Sequence, residues 1–148
     1  MNTTADILVH SPDHQLQLVV EVKNIMDATP QWAASFRRNL LVHGAVPDAP
    51  YFLMALPQRL FLWKRTAEAD VAPDYVASTT DLLRDYLGPW FDEQQQPSRE
   101  SLELAVNAWL RDLTWSMRTP RRDSEADRML LESGAYEAIH HGSIALGM

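Results

Sequence analysis

The sequence contains no cysteine. Neither a disulfide framework nor a thiolate metal site can therefore form, and the chain must be stabilised by its core alone. A chain without cysteine fits a reducing compartment. We therefore expect a cytoplasmic location.

Long apolar segments are also lacking. No run of about 18 apolar residues occurs, and no charged segment leads an apolar one at the N-terminus. We therefore expect neither secretion nor a membrane span. The 148 residues, 46% hydrophobic and 22% charged, are typical of one soluble globular domain, and we expect a single domain over 1–148.

Positive charge is scarce in the second half of the chain. The formal net charge is −7, yet acidic and basic residues nearly balance up to Thr66, whereas 15 acidic residues face 7 basic ones from Ala67 onward. The broad basic surface that drives unspecific nucleic-acid binding is therefore missing. This composition argues against an autonomous, tight nucleic-acid binder and favours a homo-oligomer or a protein partner.

What the sequence does contain is a short alternating segment, 16–23, that carries an acid and a base on one face. Glu21 and Lys23 lie two residues apart, as strand residues on the same face do. A second apolar run, 5–10, precedes it, and the turn-forming residues 11–15 lie between them, so a β-hairpin is predicted. A two- or four-residue turn places Asp6 directly opposite Glu21, whereas a three-residue loop would separate them.

The remaining pattern predicts an α+β protein with a helical C-terminal half. Thr29-Pro30 is typical of a helix start, and the spacing of apolar residues predicts a helix over Gln31–Val42 that Gly44 ends. Further strands are predicted at Tyr51–Leu56 and Arg59–Lys64, and a loop at Ala67–Ser78.

Beyond the loop, helices are predicted at Thr80–Leu87, after the cap Ser98, and in two short pieces separated near Gly134. A polar connector at Asp92–Pro97 precedes the helix after Ser98. That helix carries one apolar stripe, which predicts its buried face: Leu102, Val106, Trp109, Leu110, Leu113 and Met117.

Two carboxylates side by side call for a cation, because like charges opposed across a ladder are destabilising. Asp6 and Glu21 could hold Mg²⁺ (or Mn²⁺), with the carbonyl of Val22 as a third ligand. Such an ion polarises a phosphate and activates water, and Lys23 could offset charge on the phosphate or orient that water. The pattern therefore indicates a metal-dependent hydrolase of phosphodiester bonds in DNA or RNA.

This pattern resembles the PD-(D/E)XK nuclease superfamily, which has the restriction-endonuclease-like fold. The resemblance covers roughly residues 5–64 and includes small stand-alone bacterial members of unassigned function, through the segment 32–41. It implies that Asp6 and Glu21 bind the metal and that Lys23 is the catalytic lysine. Arg37 and Arg38 are either candidate nucleic-acid contacts or part of a solvated helix face.

The sequence departs from this superfamily in two ways. Ala5 stands where proline is usual, and only residues 1–4 precede the first strand, where members usually have a helix packed on the sheet. A C-terminal helix or a second protomer fills that place, or the face stays open. The acidic half from Ala67 is an extension that we expect to pack on the nuclease-like core.

Three interpretations follow. The first is a Mg²⁺-dependent nuclease that uses Asp6, Glu21 and Lys23. The second is a non-catalytic subunit or regulatory interaction protein with a nuclease-like fold, which the low pI and the missing front helix favour. The third is an unrelated α+β domain in which Glu21 and Lys23 form an exposed ion pair of little energetic value.

Overall fold

The computed structural model describes residues 5–64, 71–91 and 95–147. This part of the chain is an α+β structure with one mixed six-stranded sheet and five helices. The strands are β1 (Ile7–His10), β2 (Leu16–Val22), β3 (Tyr51–Ala55), β4 (Arg59–Lys64), β5 (Tyr75–Ser78) and β6 (Ser143–Leu146). The helices are α1 (Pro30–Val42), α2 (Thr80–Leu87), α3 (Arg99–Thr114), α4 (Glu125–Ser133) and α5 (Ala135–Ile139).

The sheet has the strand order β5-β4-β3-β2-β1-β6. Strands β2 and β3 are parallel and are joined through α1, whereas the other neighbouring pairs are antiparallel. Because Val22 lies beside Ala55, the C-terminal ends of β2 and β3 meet at the same end of the sheet. Residues that follow β2 therefore emerge next to residues that follow β3.

Both faces of the sheet are buried. On one face, Val19, Phe52 and Met54 pack against Ala33 and Ala34 of α1, and we call this the α1-side core. The opposite face packs against α2 to α5 and forms the helical-side core, which includes these sheet residues: Ile7, Val9, Leu18, Val20, Val22, Leu53 and Leu62. The expected alternation of β2 therefore holds from Leu18 onward, but Leu16 packs on the α1 side, where a register shift interrupts the hairpin.

The helix starts agree with their local sequence signals. The Thr29 side chain accepts a hydrogen bond from the Trp32 N–H, with Pro30 in the first turn, and the Ser98 side chain accepts one from the Ser101 N–H. These bonds satisfy backbone donors that a helix N-terminus leaves unpaired. Both predicted caps are confirmed.

The predicted stripe on α3 is buried at five of its six positions, and the exception is Met117. The helix ends at Thr114, and Ser116 has a left-handed φ of 59°, so Met117 leaves the helical period and is exposed. Trp115, which is off the stripe, is also exposed.

Two strands differ from the sequence prediction. Residues 75–78, predicted as part of a loop, form β5 beside β4, and β6 near the C-terminus has no counterpart among the predicted elements. Each strand has four residues, too few for alternation to show. Residues 67–70 of the predicted loop and 92–94 of the predicted polar connector lie outside the described residues.

The C-terminal half covers the sheet face for which the sequence offered no N-terminal helix. Helices α2 to α5 bury that face, and β6 pairs with β1 at the sheet edge. Of the three possibilities for this face, packing by C-terminal helices is therefore the one observed. No helix in the described ranges combines the length and the apolar character needed to cross a membrane.

Candidate functional site

The hairpin has the register that brings the two predicted acids together. Ile7 pairs with Val20 and Leu8 with Val19, the register in which Asp6 faces Glu21. The loop itself has three residues, 12–14, and not the expected two or four, because the Ser11 N–H donates to the Gln15 carbonyl and His10 pairs with Leu16. A register shift between Val9 and His10 restores the pairing that the loop alone would have removed. Asp6 immediately precedes β1 and donates its backbone N–H to the Val20 carbonyl at 3.0 Å. It therefore lies at the same end of the sheet as Glu21.

The Asp6 side chain is fully engaged within the protein. Its Oδ2 accepts a hydrogen bond from the Val22 N–H at 2.7 Å, and its Oδ1 lies 2.6 Å from the Arg99 Nη2. Ala5 packs in the α1-side core and Ile7 in the helical-side core, so the strand alternation breaks at Asp6. This break lets Asp6 contact both the end of β2 and the start of α3.

Glu21 is buried, with 2% of its surface exposed. Its Oε2 lies 3.9 Å from the Lys23 Nζ, whereas its Oε1 accepts no hydrogen bond within the described ranges. Burial raises the pKa of the Glu21 carboxyl to about 7, and the Asp6 carboxylate adds to this increase, while Lys23 and Arg99 oppose it. A buried carboxylate oxygen without a donor is costly and marks a place for a cation or a proton.

Lys23 is positioned by both the sheet and α1. Its backbone N–H donates to the Ala55 carbonyl at 3.0 Å, and its Nζ lies 4.8 Å from the centre of the Phe36 ring. The side chain is one-third exposed, at 32%. The ammonium therefore lies between the buried Glu21 carboxylate and solvent.

The site thus brings together Asp6, Glu21 and Lys23, with the main chain of Val22 between the two acids. The third interpretation expected Glu21 and Lys23 to form an exposed ion pair. This expectation is wrong, because Glu21 is buried and the Asp6 charge contributes to raising its pKa.

The two arginines of α1 have different environments. Arg38 is exposed, as expected for a solvated face or a nucleic-acid contact. Arg37 is only 5% exposed, and its guanidinium lies 5.8 Å from the Phe52 ring and 5.3 Å from the Trp63 ring. The expectation of a solvent-facing side chain is therefore wrong for Arg37, because the helix rotates it onto the aromatic residues of the sheet.

Sequence reasoning missed Arg99, which places a positive charge beside the Asp6 carboxylate. Arg99 begins α3, directly after the cap Ser98, and it also lies 3.5 Å from the Glu103 Oε2. The only signal in the sequence is electrostatic, because two neighbouring carboxylates require a cation. That requirement does not identify which of the basic residues supplies it.

The donor atoms of this site meet only part of what a hard divalent ion such as Mg²⁺ requires. In the described ranges no group of three or more His, Cys, Asp or Glu side chains is placed to hold a metal. Mg²⁺, however, is commonly held by one or two carboxylates and retains several waters. The unpaired Glu21 Oε1 beside Asp6 is the kind of donor that such an ion would use.

The raised pKa of Glu21 predicts an unusual pH dependence of stability. Because the folded-state pKa is about 7 against an ordinary 4.5, the proton on Glu21 stabilises the fold fully below pH 4.5. This contribution is lost as the pH rises through 7, and its size is about 3 kcal/mol at 1.36 kcal/mol for each pKa unit.

Glu21→Gln cannot ionise and should escape this loss. In EDTA, the stability of Glu21→Gln relative to wild type should increase by about 3 kcal/mol between pH 4.5 and pH 8.5, as measured by urea unfolding. Glu137→Gln, on the exposed surface of α5, is the matched control. A relative stability of Glu21→Gln that stays constant over this pH range would contradict the prediction.

Comparison with known proteins gives no match, so the function of this protein can be inferred only from the geometry of the site. No family model matches the sequence, and no curated protein and no solved structure matches the chain.

Proposed function

We propose that this protein is a Mg²⁺-dependent (or Mn²⁺-dependent) nuclease-like hydrolase of phosphodiester bonds in DNA or RNA. The observation that carries the proposal is the unpaired, buried Glu21 Oε1 next to Asp6, with Lys23 alongside. Two acids and a lysine at one point are the parts that this reaction requires.

The order of the elements supports a restriction-endonuclease-like core. A hairpin carries Asp6 and then Glu21-Val22-Lys23, a helix follows, and β3 returns parallel to β2. This is the arrangement expected for the PD-(D/E)XK superfamily from the resemblance of residues 5–64. Helices α2 to α5 then pack on the second face of the sheet.

Each residue has a distinct role in this proposal. Asp6 and Glu21 bind the ion through carboxylate oxygens, and the Val22 carbonyl is a further candidate ligand. When bound, the ion supplies a Lewis acid and lowers the pKa of a water molecule. Lys23, held over Phe36, neutralises the charge that develops on the phosphate oxygens or orients the attacking water.

Direct metal binding tests the proposal without relying on activity. Wild-type protein should bind Mn²⁺ in a calorimetric titration, and Glu21→Gln should bind it about 100-fold more weakly, or about 3 kcal/mol, because a charged ligand is lost. Glu137→Gln, which replaces an exposed acid on α5, should bind like wild type. Equal binding by wild type and Glu21→Gln would overturn the assigned site.

A second candidate function is a non-catalytic interaction protein with the same fold. The observation that favours it is that both Asp6 oxygens are already bonded inside the protein, to Val22 and Arg99, as in a structural ion pair. Exposed Trp90, Trp115 and Met117 would then contribute to a homo-oligomer or a protein complex. This function requires that the wild type bind no Mn²⁺ in the same titration.

A further inference from the structure

We propose that Arg99 is a positioning residue that competes with the divalent ion for Asp6 and holds the site together in the metal-free protein. This inference rests on the proposed function, since it assigns Arg99 a role at the same site. Arg99 comes from α3, in the helical half, and is 93 positions away from Asp6 in the chain.

The contact is direct and involves a ligand oxygen. The Arg99 Nη2 lies 2.6 Å from the Asp6 Oδ1, while the other Asp6 oxygen accepts the Val22 N–H. Each carboxylate oxygen has two lone pairs, but a divalent ion bound to the same oxygen would lie close to the guanidinium and repel it. Ion binding at Oδ1 and the Arg99 contact therefore weaken each other.

Arg99 adds a second positive charge to the site beside that of Lys23. Two acids, Asp6 and Glu21, face two bases, Lys23 and Arg99, within one group of contacts. Without Arg99, the metal-free site would place two carboxylates together with only Lys23 to offset them. Arg99 is thus the cation that the opposed acids require when no ion is bound.

Glu103 offers Arg99 an alternative partner one turn along α3. The Arg99 Nη1 lies 3.5 Å from the Glu103 Oε2, in an i,i+4 pair on the helix surface. The Arg99 side chain is 41% exposed, so it can leave Asp6 without crossing the core. When Asp6 is taken by an ion, Glu103 can keep the guanidinium, which lowers the cost of releasing it.

Calorimetric Mn²⁺ titration of the full chain tests this competition with variants of opposite expected sign. Arg99→Gln should bind Mn²⁺ about 10-fold more tightly than wild type, because the competing cation is removed. Glu103→Gln should bind it about threefold more weakly, because Arg99 loses its alternative partner and stays on Asp6. The Mn²⁺ affinity of Arg99→Lys, which retains the positive charge, should be closer to that of wild type than the affinity of Arg99→Gln.

Arg111→Gln is the matched control, because Arg111 lies on the same helix about 18 Å farther along its axis. Its Mn²⁺ affinity should equal that of wild type. A second readout is thermal unfolding, in which saturating Mn²⁺ should raise the Tm of Arg99→Gln more than that of wild type.

The outcomes separate this inference from the proposed function. If wild type binds Mn²⁺ and Glu21→Gln does not, but Arg99→Gln binds no more tightly than wild type, the role of Arg99 is overturned and the proposed site stands. If neither wild type nor any Arg99 or Glu103 variant binds Mn²⁺, both are overturned. If Arg99→Gln fails to fold, the Mn²⁺ affinity of Glu103→Gln, a substitution at the helix surface, tests the role of Arg99 instead.

Discussion

Replacing Lys23 with Met should slow Mg²⁺-dependent cleavage of nucleic acid by about 100- to 1,000-fold, the effect of removing one preorganised charge from a phosphate or oxyanion site. The ammonium is held by the backbone bond to Ala55 and the contact with Phe36, so little reorganisation is needed as charge develops. Mn²⁺ affinity should remain within about threefold of wild type, because Lys23 is not a ligand.

Lys64 provides the matched control for this substitution. It is the only other lysine in the chain, it is exposed, and it pairs with Tyr51 at the opposite end of β3 from the site. Lys64→Met should therefore cleave single- and double-stranded DNA and RNA at the wild-type rate. Cleavage by Lys23→Met at the wild-type rate would exclude Lys23 from the reaction, and a metal-loaded wild type that cleaves none of these substrates would exclude nuclease activity.

Asp127→Ala should lower the free energy of unfolding by about 3–5 kcal/mol, the cost of breaking a buried ion pair by removing one partner. The Asp127 side chain is buried and accepts hydrogen bonds from the Trp109 indole at 2.8 Å, from the Arg121 backbone at 2.9 Å and from Arg118 at 2.6 Å. Burial tends to raise the pKa of Asp127, but these donors outweigh it and hold the pKa below its usual range.

The loss would be a large part of the total stability of a domain of this size, which is about 5–15 kcal/mol. Asp123→Ala, at an exposed position four residues earlier, should change stability by less than about 0.5 kcal/mol in the same urea titration. Adding Arg118→Met to Asp127→Ala should restore part of the loss, because no uncompensated charge remains. A cost below about 1 kcal/mol for Asp127→Ala would mean that this buried network contributes little.

The Asp127 network also shows how the helical half supports the site. It connects α3 to α4 through Trp109, and α3 carries Arg99 at its first turn. We therefore expect the position of Arg99 to depend on the packing of α3 against the sheet, where the helical-side core includes Leu102 and Val106. The acidic half of the chain, which contains Arg99, would then contribute directly to the site.

Features that depend on near neighbours in the chain are predictable from the sequence. The caps Thr29 and Ser98 each bond a donor three residues away, so their residue types alone indicate a helix start. The turn residues 11–15 likewise indicate a hairpin, but its register does not follow from the turn, because the loop has three residues and a register shift between Val9 and His10 is needed to place Asp6 opposite Glu21. The α+β class is predictable because it follows from local patterns of apolar and polar residues.

Features that depend on distant segments are not predictable in this way. The sequence pattern favours a surface position for Arg37, yet the rotation of α1 against the sheet buries it on Phe52 and Trp63. Strand β6 has no alternation of its own and exists because β1 offers it an edge. The period of a helix shows which residues share a face, but only the packed neighbours determine what that face meets.

By itself, the sequence determined that Asp6, Glu21 and Lys23 belong to one hairpin, because strand alternation and turn-forming residues are local properties. The register shift between Val9 and His10, which sets Asp6 opposite Glu21, is seen only in the structure. Only the tertiary structure decided the electrostatic state of that group. Packing on the α1 side of the sheet buries Glu21, this burial raises the pKa of Glu21 to about 7, and α3 brings Arg99 onto Asp6. Burial and long-range ion pairs depend on how remote segments pack, and that packing determines which of the two opposed acids carries a charge at a given pH.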